Sequence, residues 1–213
     1  MRRTATTGHA ILGLLALRPE WTTYALTKQL RRNMRFFWPR AESRIYDEAK
    51  RLVARGLATA RREATGRRGR TVYAISPAGR DAVQRWLATP PRPTALECEP
   101  LLRVLLADLG TRAQLMAALA QVEADAEAIL AVGRTVGPEY LAGVAPFQDQ
   151  IETRALVFDF LWSHALMMRR WAERAEATIA AWDDQTPAAR DEAARTIIRR
   201  HLQADEAAAA CYQ

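Results

Sequence analysis

At Gly56 the spacing of the apolar residues changes from that of a helix to that of a strand. Before this glycine, Ile45, Ala49 and Leu52 follow one another at intervals of four and three residues, which predicts an amphipathic helix over residues 40–55. After it, apolar and polar residues alternate, which is typical of a strand with one buried face. Gly56 itself is expected to end the helix, because glycine adopts the left-handed conformation without steric strain.

The alternating segment predicts a β-hairpin with a basic tip. Its strands are expected over residues 57–63 and 70–76, and the loop ATGRRG between them contains two glycines. Five arginines lie in this hairpin: Arg61, Arg62, Arg67, Arg68 and Arg70. Positive charge concentrated on a projecting loop indicates a polyanionic partner.

Helices are predicted on both sides of the hairpin. Residues 8–17 and 23–32 carry apolar residues at helical spacing, and Ser76-Pro77 supplies an N-cap and a first-turn proline for a helix that reaches about Leu87. The resulting order is helix, helix, helix, hairpin, helix. This is the order of a winged helix-turn-helix, in which the third helix enters the major groove and the hairpin, or wing, contacts the backbone or the minor groove.

The charge distribution supports two domains with different roles. Residues 1–90 contain 19 Lys and Arg against 6 Asp and Glu, whereas the remaining residues contain 12 against 18. A basic half joined to an acidic half favours one half that binds a polyanion and one that does not. The proline-rich stretch TPPRP marks the boundary between them.

The polar face of the predicted third helix provides the candidate base-contacting residues. Six residues fall away from its apolar face or at the edge of it: Ser43, Arg44, Tyr46, Asp47, Lys50 and Arg51. Phosphate or minor-groove contacts are expected from five further arginines, on the wing and on an N-terminal arm: Arg67, Arg68, Arg70, Arg2 and Arg3. The alternative for the helix residues is an ordinary solvated face.

Three segments resemble the PadR family of bacterial transcriptional regulators: HAILGLLALRPEWTTYALTKQL, ESRIYDEAKRLVARGLATAR and GRRGRTVYAISPAGRDAVQRWL. They are similar to its opening pair of helices, its recognition helix and its wing, over residues 8–88. One departure is Thr23 before Tyr24, where the family usually has Gly. The resemblance implies a homodimeric repressor of a near-palindromic duplex operator, sometimes relieved by a small phenolic or drug-like ligand.

The fold class expected from these observations is mainly α with a small β-hairpin. The domains predicted are a winged helix-turn-helix DNA-binding domain (1–88), a linker (89–95), a helical dimerisation domain (96–183) and a helical tail with a disordered end (184–213). Thr111 and Gln114 form a capping-box pattern that starts one helix, and Gly133, Gly137 and Pro138 are expected to break that helix. A long helix over 149–183 then carries a seam at spacings of three and four, and its partner helix comes either from a second copy or from the same chain. The seam is Phe158, Leu161, Ala165, Met168, Ala172, Ala175, Ile179 and Trp182.

The same long helix is unusually aromatic. Trp162, Trp171 and Phe158 are candidate walls for a planar aromatic effector, and the alternative is that they fill the core and the dimer contact. The sequence leaves both open.

Several function classes lack their signatures. The sequence contains no nucleophile elbow, phosphate-binding glycine loop or HExxH motif, so an enzyme is not expected. Cys98 and Cys211 lack metal-ligand spacing, and no metal, cofactor or disulfide is expected, in keeping with a reducing cytoplasm. The apolar run AILGLLAL is too short for a membrane span and is expected to be a core helix. The alternative to a DNA-binding regulator is a helical protein-interaction or RNA-binding module with a basic winged domain.

Overall fold

The computed structural model describes residues 4–39, 42–65 and 68–210, with the side chains of residues 33, 42, 43, 65, 68 and 206–210 excepted. The chain divides into two compact units, Met1–Ala95 and Leu96–Gln213. Each unit has its own buried core, and each is described by itself.

The N-terminal unit has the predicted order of helices with one additional strand. Its elements are α1 (Thr6–Leu17), β1 (Trp21–Thr22), α2 (Thr23–Met34), α3 (Glu42–Ala54), β2 (Ala58–Thr65), β3 (Arg68–Ile75) and α4 (Pro77–Leu87). The strands form one antiparallel sheet in the order β1-β3-β2. Sequence reasoning did not find β1, because two residues are too few to show an alternating pattern.

The helices of this unit pack around a small apolar core. Ile11, Leu12 and Leu15 of α1, Leu26 of α2 and Leu52 of α3 are almost fully buried. Thr22 caps α2 by accepting a hydrogen bond from the backbone N–H of Ala25, and the predicted N-cap Ser76 is confirmed, since it accepts one from that of Gly79.

Two glycines fix the connection of the wing to the helices. Gly56 has a φ of +70°, so the residue that ends α3 lies in the left-handed region, as predicted. Gly79 in the first turn of α4 lies against the backbone of Leu57, where an added Cβ would be 2.0 Å from the carbonyl oxygen. The start of β2 and the start of α4 are therefore held in direct contact.

The C-terminal unit consists of helices. Its elements are α5 (Glu99–Leu105), α6 (Arg112–Leu141), α7 (Ile151–Ala180) and α8 (Pro187–Ala210), with short 3₁₀ turns at 107–109, 148–150 and 181–184. The predicted capping box of α6 is confirmed, because Thr111 and Gln114 exchange side-chain to backbone hydrogen bonds. No described helix is long and apolar enough to cross a membrane.

Helix α6 is longer than the sequence suggested. The glycines at 133 and 137 and Pro138 were expected to break it, but the helix continues through all three to Leu141. Gly133 instead allows a close helix contact, since a Cβ there would lie 2.8 Å from the ring of Trp162. These glycines mark a close approach of α6 and α7 rather than a loop.

Of the two alternatives stated for the α7 seam, the structure favours a partner helix from the same chain. Ala165, Ala172 and Ile179 are buried within the chain, and Ile179 packs with Leu115 and Leu119 of α6. Ala175 and Trp182 lie against the same cluster. The physical reason is that a spacing of three and four residues shows that a helix has a helical partner, but not which chain supplies it. Once α6 is seen to be a helix of 30 residues, it supplies that partner.

Candidate nucleic-acid interface

Helix α3 buries one face and leaves the opposite face open. Ile45, Ala49 and Leu52 are between 0 and 5% exposed. Arg44, Asp47, Lys50 and Arg51 are all exposed, as the periodicity predicted, and the side chain of Ser43 lies outside the described residues. The exposed residues form a mixed polar surface with three cations, of the kind that can reach base edges and phosphates in a groove.

Tyr46 lies at the edge of this surface, beside the sheet. It is half-buried and close to Tyr73 of β3. Tyr73 is 5% exposed, and burial raises the pKa of its hydroxyl above the ordinary value near 10, while a hydrogen bond with Thr23 and the neighbouring Tyr46 have smaller effects. The α2, α3 and β3 elements thus meet at a small polar junction beneath the exposed face.

One acidic residue of α3 points into the domain. Glu48 is 7% exposed and lies over Gly8 of α1, where an added Cβ would be 2.6 Å from its carboxylate oxygen. Its other oxygen accepts a hydrogen bond of 3.1 Å from the guanidinium of Arg51. Arg51 is thereby held along the helix, which makes it the most constrained cation of the exposed face.

The wing carries its charges on two faces. In the β2–β3 register, Glu63 lies opposite Arg70 and Arg62 lies opposite Thr71. Residues directly opposite in an antiparallel pair share a face of the sheet, and neighbours along a strand point to opposite faces. Arg61, Glu63 and Arg70 therefore share one face, and Arg62 lies on the other.

The arginines of the first face are in ion pairs. Arg70 donates to Glu63 at 2.7 Å through Nε and lies 2.6 Å from it through its terminal nitrogen. Arg61 pairs with Glu63 and with Glu20, which precedes β1. The hydrogen bond from Arg70 holds the pKa of Glu63 below its ordinary value, and the hydrogen bond to Glu20 raises that of Arg61. Arg70, which the sequence assigned to phosphate, is thus bound to a carboxylate here.

Sequence reasoning did not name Arg62 among the candidate phosphate contacts. It is exposed, and it shares its face of the wing with Thr71 and Tyr73. The signal that could have found it is the alternation itself, which separates Arg61 from Arg62. Arg67, Arg2 and Arg3 lie outside the described residues, as does the side chain of Arg68, and their roles stay predictions.

The three aromatic residues of α7 proposed as effector walls are engaged in packing between helices. Phe158 and Trp162 stack with their ring centroids 5.6 Å apart, against Gly133 of α6. Trp171 packs against the apolar cluster that includes Leu119. Of the two alternatives stated for these side chains, the structure favours core packing.

An apolar groove of about 470 Å³ lies in the C-terminal unit. It is lined by Leu96, Cys98, Leu101, Leu102, Val104 and Leu105. Among the residues whose side chains the structure describes, no group of His, Cys, Asp or Glu is arranged to hold a metal ion. The groove is therefore a surface for apolar contact, on and just before α5.

Comparisons with known proteins agree with this architecture. The model of the transcriptional regulator PadR-like family matches residues 11–85. No curated protein matches the sequence of this chain.

Solved structures extend the likeness beyond the family match. Bacillus subtilis PadR in complex with operator DNA has a TM-score of 0.67 at 22% identity, over 82% of this chain and 99% of that chain. The same protein in complex with p-coumaric acid has a TM-score of 0.61 at 22% identity, over 84% and 98%.

Two other regulators have the same fold. The PadR-like transcriptional regulator BC1756 from Bacillus cereus gives a TM-score of 0.69 at 16% identity, over 83% of this chain and 99% of that chain. The virulence activator AphA of Vibrio cholerae gives 0.63 at 21%, over 83% and 99%. Residues 11–85, which form most of the winged helix-turn-helix unit, thus match the PadR-like family of transcriptional regulators, and the solved regulators share the fold of the chain.

Proposed function

We propose that this chain is a sequence-specific, double-stranded DNA-binding transcriptional regulator that acts as a homodimeric repressor. The observation that carries the proposal is the exposed polar face of α3, seated on a buried apolar face and flanked by a basic wing. Bacillus subtilis PadR, which has the same fold, was solved with operator DNA. Repression needs only occupancy of the operator, and it is the simplest output of such a protein.

The proposed contacts follow from exposure and charge. Arg44 and Lys50 are the proposed base contacts, with Ser43, Tyr46, Asp47 and Arg51 beside them in the groove. The wing arginines other than Arg61 and Arg70, and those of the N-terminal arm, are proposed to bind phosphates, which supplies affinity that depends on salt and not on sequence.

The proposed homodimer has a different surface from the seam predicted on α7. Several large apolar side chains of the C-terminal unit are exposed, which is unusual for an isolated domain and marks an interaction surface. They lie on α5, on the outward face of α7 and on α8: Leu101, Leu102, Leu105, Leu106, Leu156, Val157, Phe160, Met167, Ile197, Ile198 and Leu202. A second copy is the proposed partner, and a two-fold dimer predicts an operator with half-sites about one DNA turn, roughly 34 Å, apart.

A small aromatic effector is also proposed. Its support is the likeness to Bacillus subtilis PadR, which was solved with p-coumaric acid. Since Phe158, Trp162 and Trp171 are packed between helices, the proposed effector acts at another place in the chain or after a rearrangement of α6 and α7. Addition of p-coumaric acid to a preformed complex with DNA tests this, and release of the DNA is the expected result.

The test of the main proposal is selection of bound duplexes from a random DNA pool at physiological salt. Recovery of a near-palindromic sequence is the expected result, and a reporter gene placed behind that sequence shows whether its output falls or rises. AphA is described as an activator, so a rise would correct the direction of regulation and leave DNA binding in place. No enrichment over the starting pool would contradict DNA recognition. Such a regulator would act on DNA in the cytoplasm, and no catalytic activity is proposed.

A further inference from the structure

Four charged residues form a chain of ion pairs along one face of the wing. Glu20 pairs with Arg61, Arg61 pairs with Glu63, and Glu63 pairs with Arg70. Glu63 lies at the centre, since it holds both arginines, and its side chain is the most enclosed of the four at 22% exposed against 48–55% for the others. The network contains two carboxylates and two guanidinium groups, so its net charge is zero.

The opposite face of the same strands has a free cation. Arg62 is exposed, and no hydrogen bond or ion pair to another described residue is recorded for it. Its cross-strand neighbour is Thr71, on the face that also carries the buried Tyr73. Adjacent arginines of one strand are therefore in opposite electrostatic situations, one neutralised and one unpaired.

This difference bears on DNA binding because phosphate and carboxylate compete for the same guanidinium donors. A paired arginine has fewer N–H donors left for a phosphate, and the neighbouring carboxylate repels that phosphate. The exposed ion pairs are individually weak, so the competition is between two similar partners. Glu63 affects two arginines in this competition, since its carboxylate pairs with both Arg61 and Arg70.

We propose that Glu63 determines which wing arginines bind DNA: it holds Arg61 and Arg70 in ion pairs and leaves Arg62 as the strand arginine that binds phosphate. In this role Glu63 is a positioning residue, which acts on DNA through the arginines and limits sequence-independent affinity. The inference rests on the proposed function, because it presupposes that the wing contacts DNA.

The experiment measures the dependence of DNA affinity on salt for single variants of the full chain. The probe is a duplex of arbitrary sequence, titrated between about 50 and 200 mM KCl, where each phosphate contact contributes a slope of about 0.9 in log K against log salt. We expect Arg62→Ala to reduce the slope by about one contact and Arg70→Ala to leave it nearly unchanged. Glu63→Gln is expected to steepen the slope by about one contact, about 0.9, since Arg70 is released while Arg61 keeps its pair with Glu20.

A double variant separates release from a general change of charge. In the Glu63→Gln background, Arg70→Ala is expected to remove about one contact from the slope, an effect that it lacks in the wild-type background. The matched control is Glu127→Gln, which breaks the ion pair of Glu127 with Arg134 in the C-terminal unit and removes the same charge far from the wing in sequence. This control is expected to leave the slope unchanged.

Two results would overturn the inference and leave the proposed function intact. One is an equal loss of slope in Arg70→Ala and Arg62→Ala, which would show that Arg70 already binds phosphate. The other is a Glu63→Gln slope equal to that of the wild type. Failure of the wild-type chain to bind any duplex at low salt is a different outcome, which would overturn the proposed function together with the inference.

Discussion

Gly133 of α6 lies directly under the indole ring of Trp162 of α7, and the ring is too close to leave room for a Cβ atom. An added Cβ would be 2.8 Å from both Cε3 and Cζ3 of the ring. Gly133→Ala is therefore expected to lower the free energy of unfolding of the C-terminal unit by about 1–3 kcal/mol, because the two helices must separate or the ring must leave its rotamer. Chemical denaturation followed by tryptophan fluorescence measures this.

Gly137, one turn later, is the matched control. A Cβ there would lie 3.6 Å from Phe158, which is an ordinary contact. Gly137→Ala is expected to be neutral or to stabilise by up to about 1 kcal/mol, since alanine favours the helix interior. Equal losses in the two variants would show that both glycines serve the backbone of α6 and not the approach of Trp162.

Removal of the base-contacting cations is expected to weaken operator binding and to leave the free energy of unfolding nearly unchanged. Arg44→Ala and Lys50→Ala should each weaken operator binding by about 1–3 kcal/mol, as for a lost base contact, because these exposed side chains present the donors. Their effect on unfolding should stay within about 0.5 kcal/mol, since neither side chain is buried. Fluorescence anisotropy with operator and with arbitrary duplex measures the binding.

Arg80→Ala, which removes the same charge from the exposed surface of α4, serves as the control for net charge. This variant should weaken binding to the operator and to the arbitrary duplex slightly and equally. If Lys50→Ala also weakened binding to both duplexes equally, Lys50 would be a phosphate contact and not a source of specificity.

The contact between Gly8 of α1 and Glu48 of α3 provides a third prediction. Gly8→Ala would bring a Cβ to 2.6 Å from Glu48 and 2.8 Å from Thr4, so we expect a loss of about 1–3 kcal/mol in the free energy of unfolding. The loss should shrink in a Glu48→Ala background, where the carboxylate is absent, and a double-mutant cycle measures the difference.

Gly13→Ala in the same helix meets nothing within 4 Å and should stabilise by up to about 1 kcal/mol. An unchanged cost of Gly8→Ala in the Glu48→Ala background would mean that Thr4, and not Glu48, sets the requirement for glycine.

The sequence predicted those parts of the fold whose signals are local. The change of period at Gly56, the Ser76-Pro77 helix start and the Thr111/Gln114 capping box each lie within a few residues, and all three are present. The length of α6 could not be predicted in the same way. Whether Gly133 ends a helix or admits a ring is decided by Trp162, 29 positions later in the sequence.

The candidate site also has one part that local sequence signals predict and one part that they do not. The exposed face of α3 follows from helical spacing, which is why Arg44 and Lys50 could be assigned. The pairing of Glu63 with Arg70 depends on the register of β2 and β3, which a loop with two glycines leaves open in the sequence. Composition therefore showed that the wing is basic but could not show which of its arginines are neutralised.

The last prediction concerns alkaline pH. Burial raises the pKa of Tyr73 above its ordinary value near 10, so the folded state holds the phenolic proton more tightly than the unfolded state. This contribution to stability is fully present below about pH 10 and is lost as the pH rises through the folded-state pKa. The free energy of unfolding of the wild-type chain should therefore fall more steeply above pH 10 than that of Tyr73→Phe, which cannot ionise. Tyr73→Phe should be less stable at pH 7, by about 0.5–1.5 kcal/mol for the lost hydrogen bond with Thr23, so the two stability curves should converge as the pH rises.

Urea denaturation between pH 7 and about pH 11 measures both curves. The control is Tyr24→Phe, at a position 72% exposed, which should follow the wild type throughout. Parallel curves for Tyr73→Phe and the wild type would show that the hydroxyl of Tyr73 ionises as readily in the folded chain as in the unfolded one.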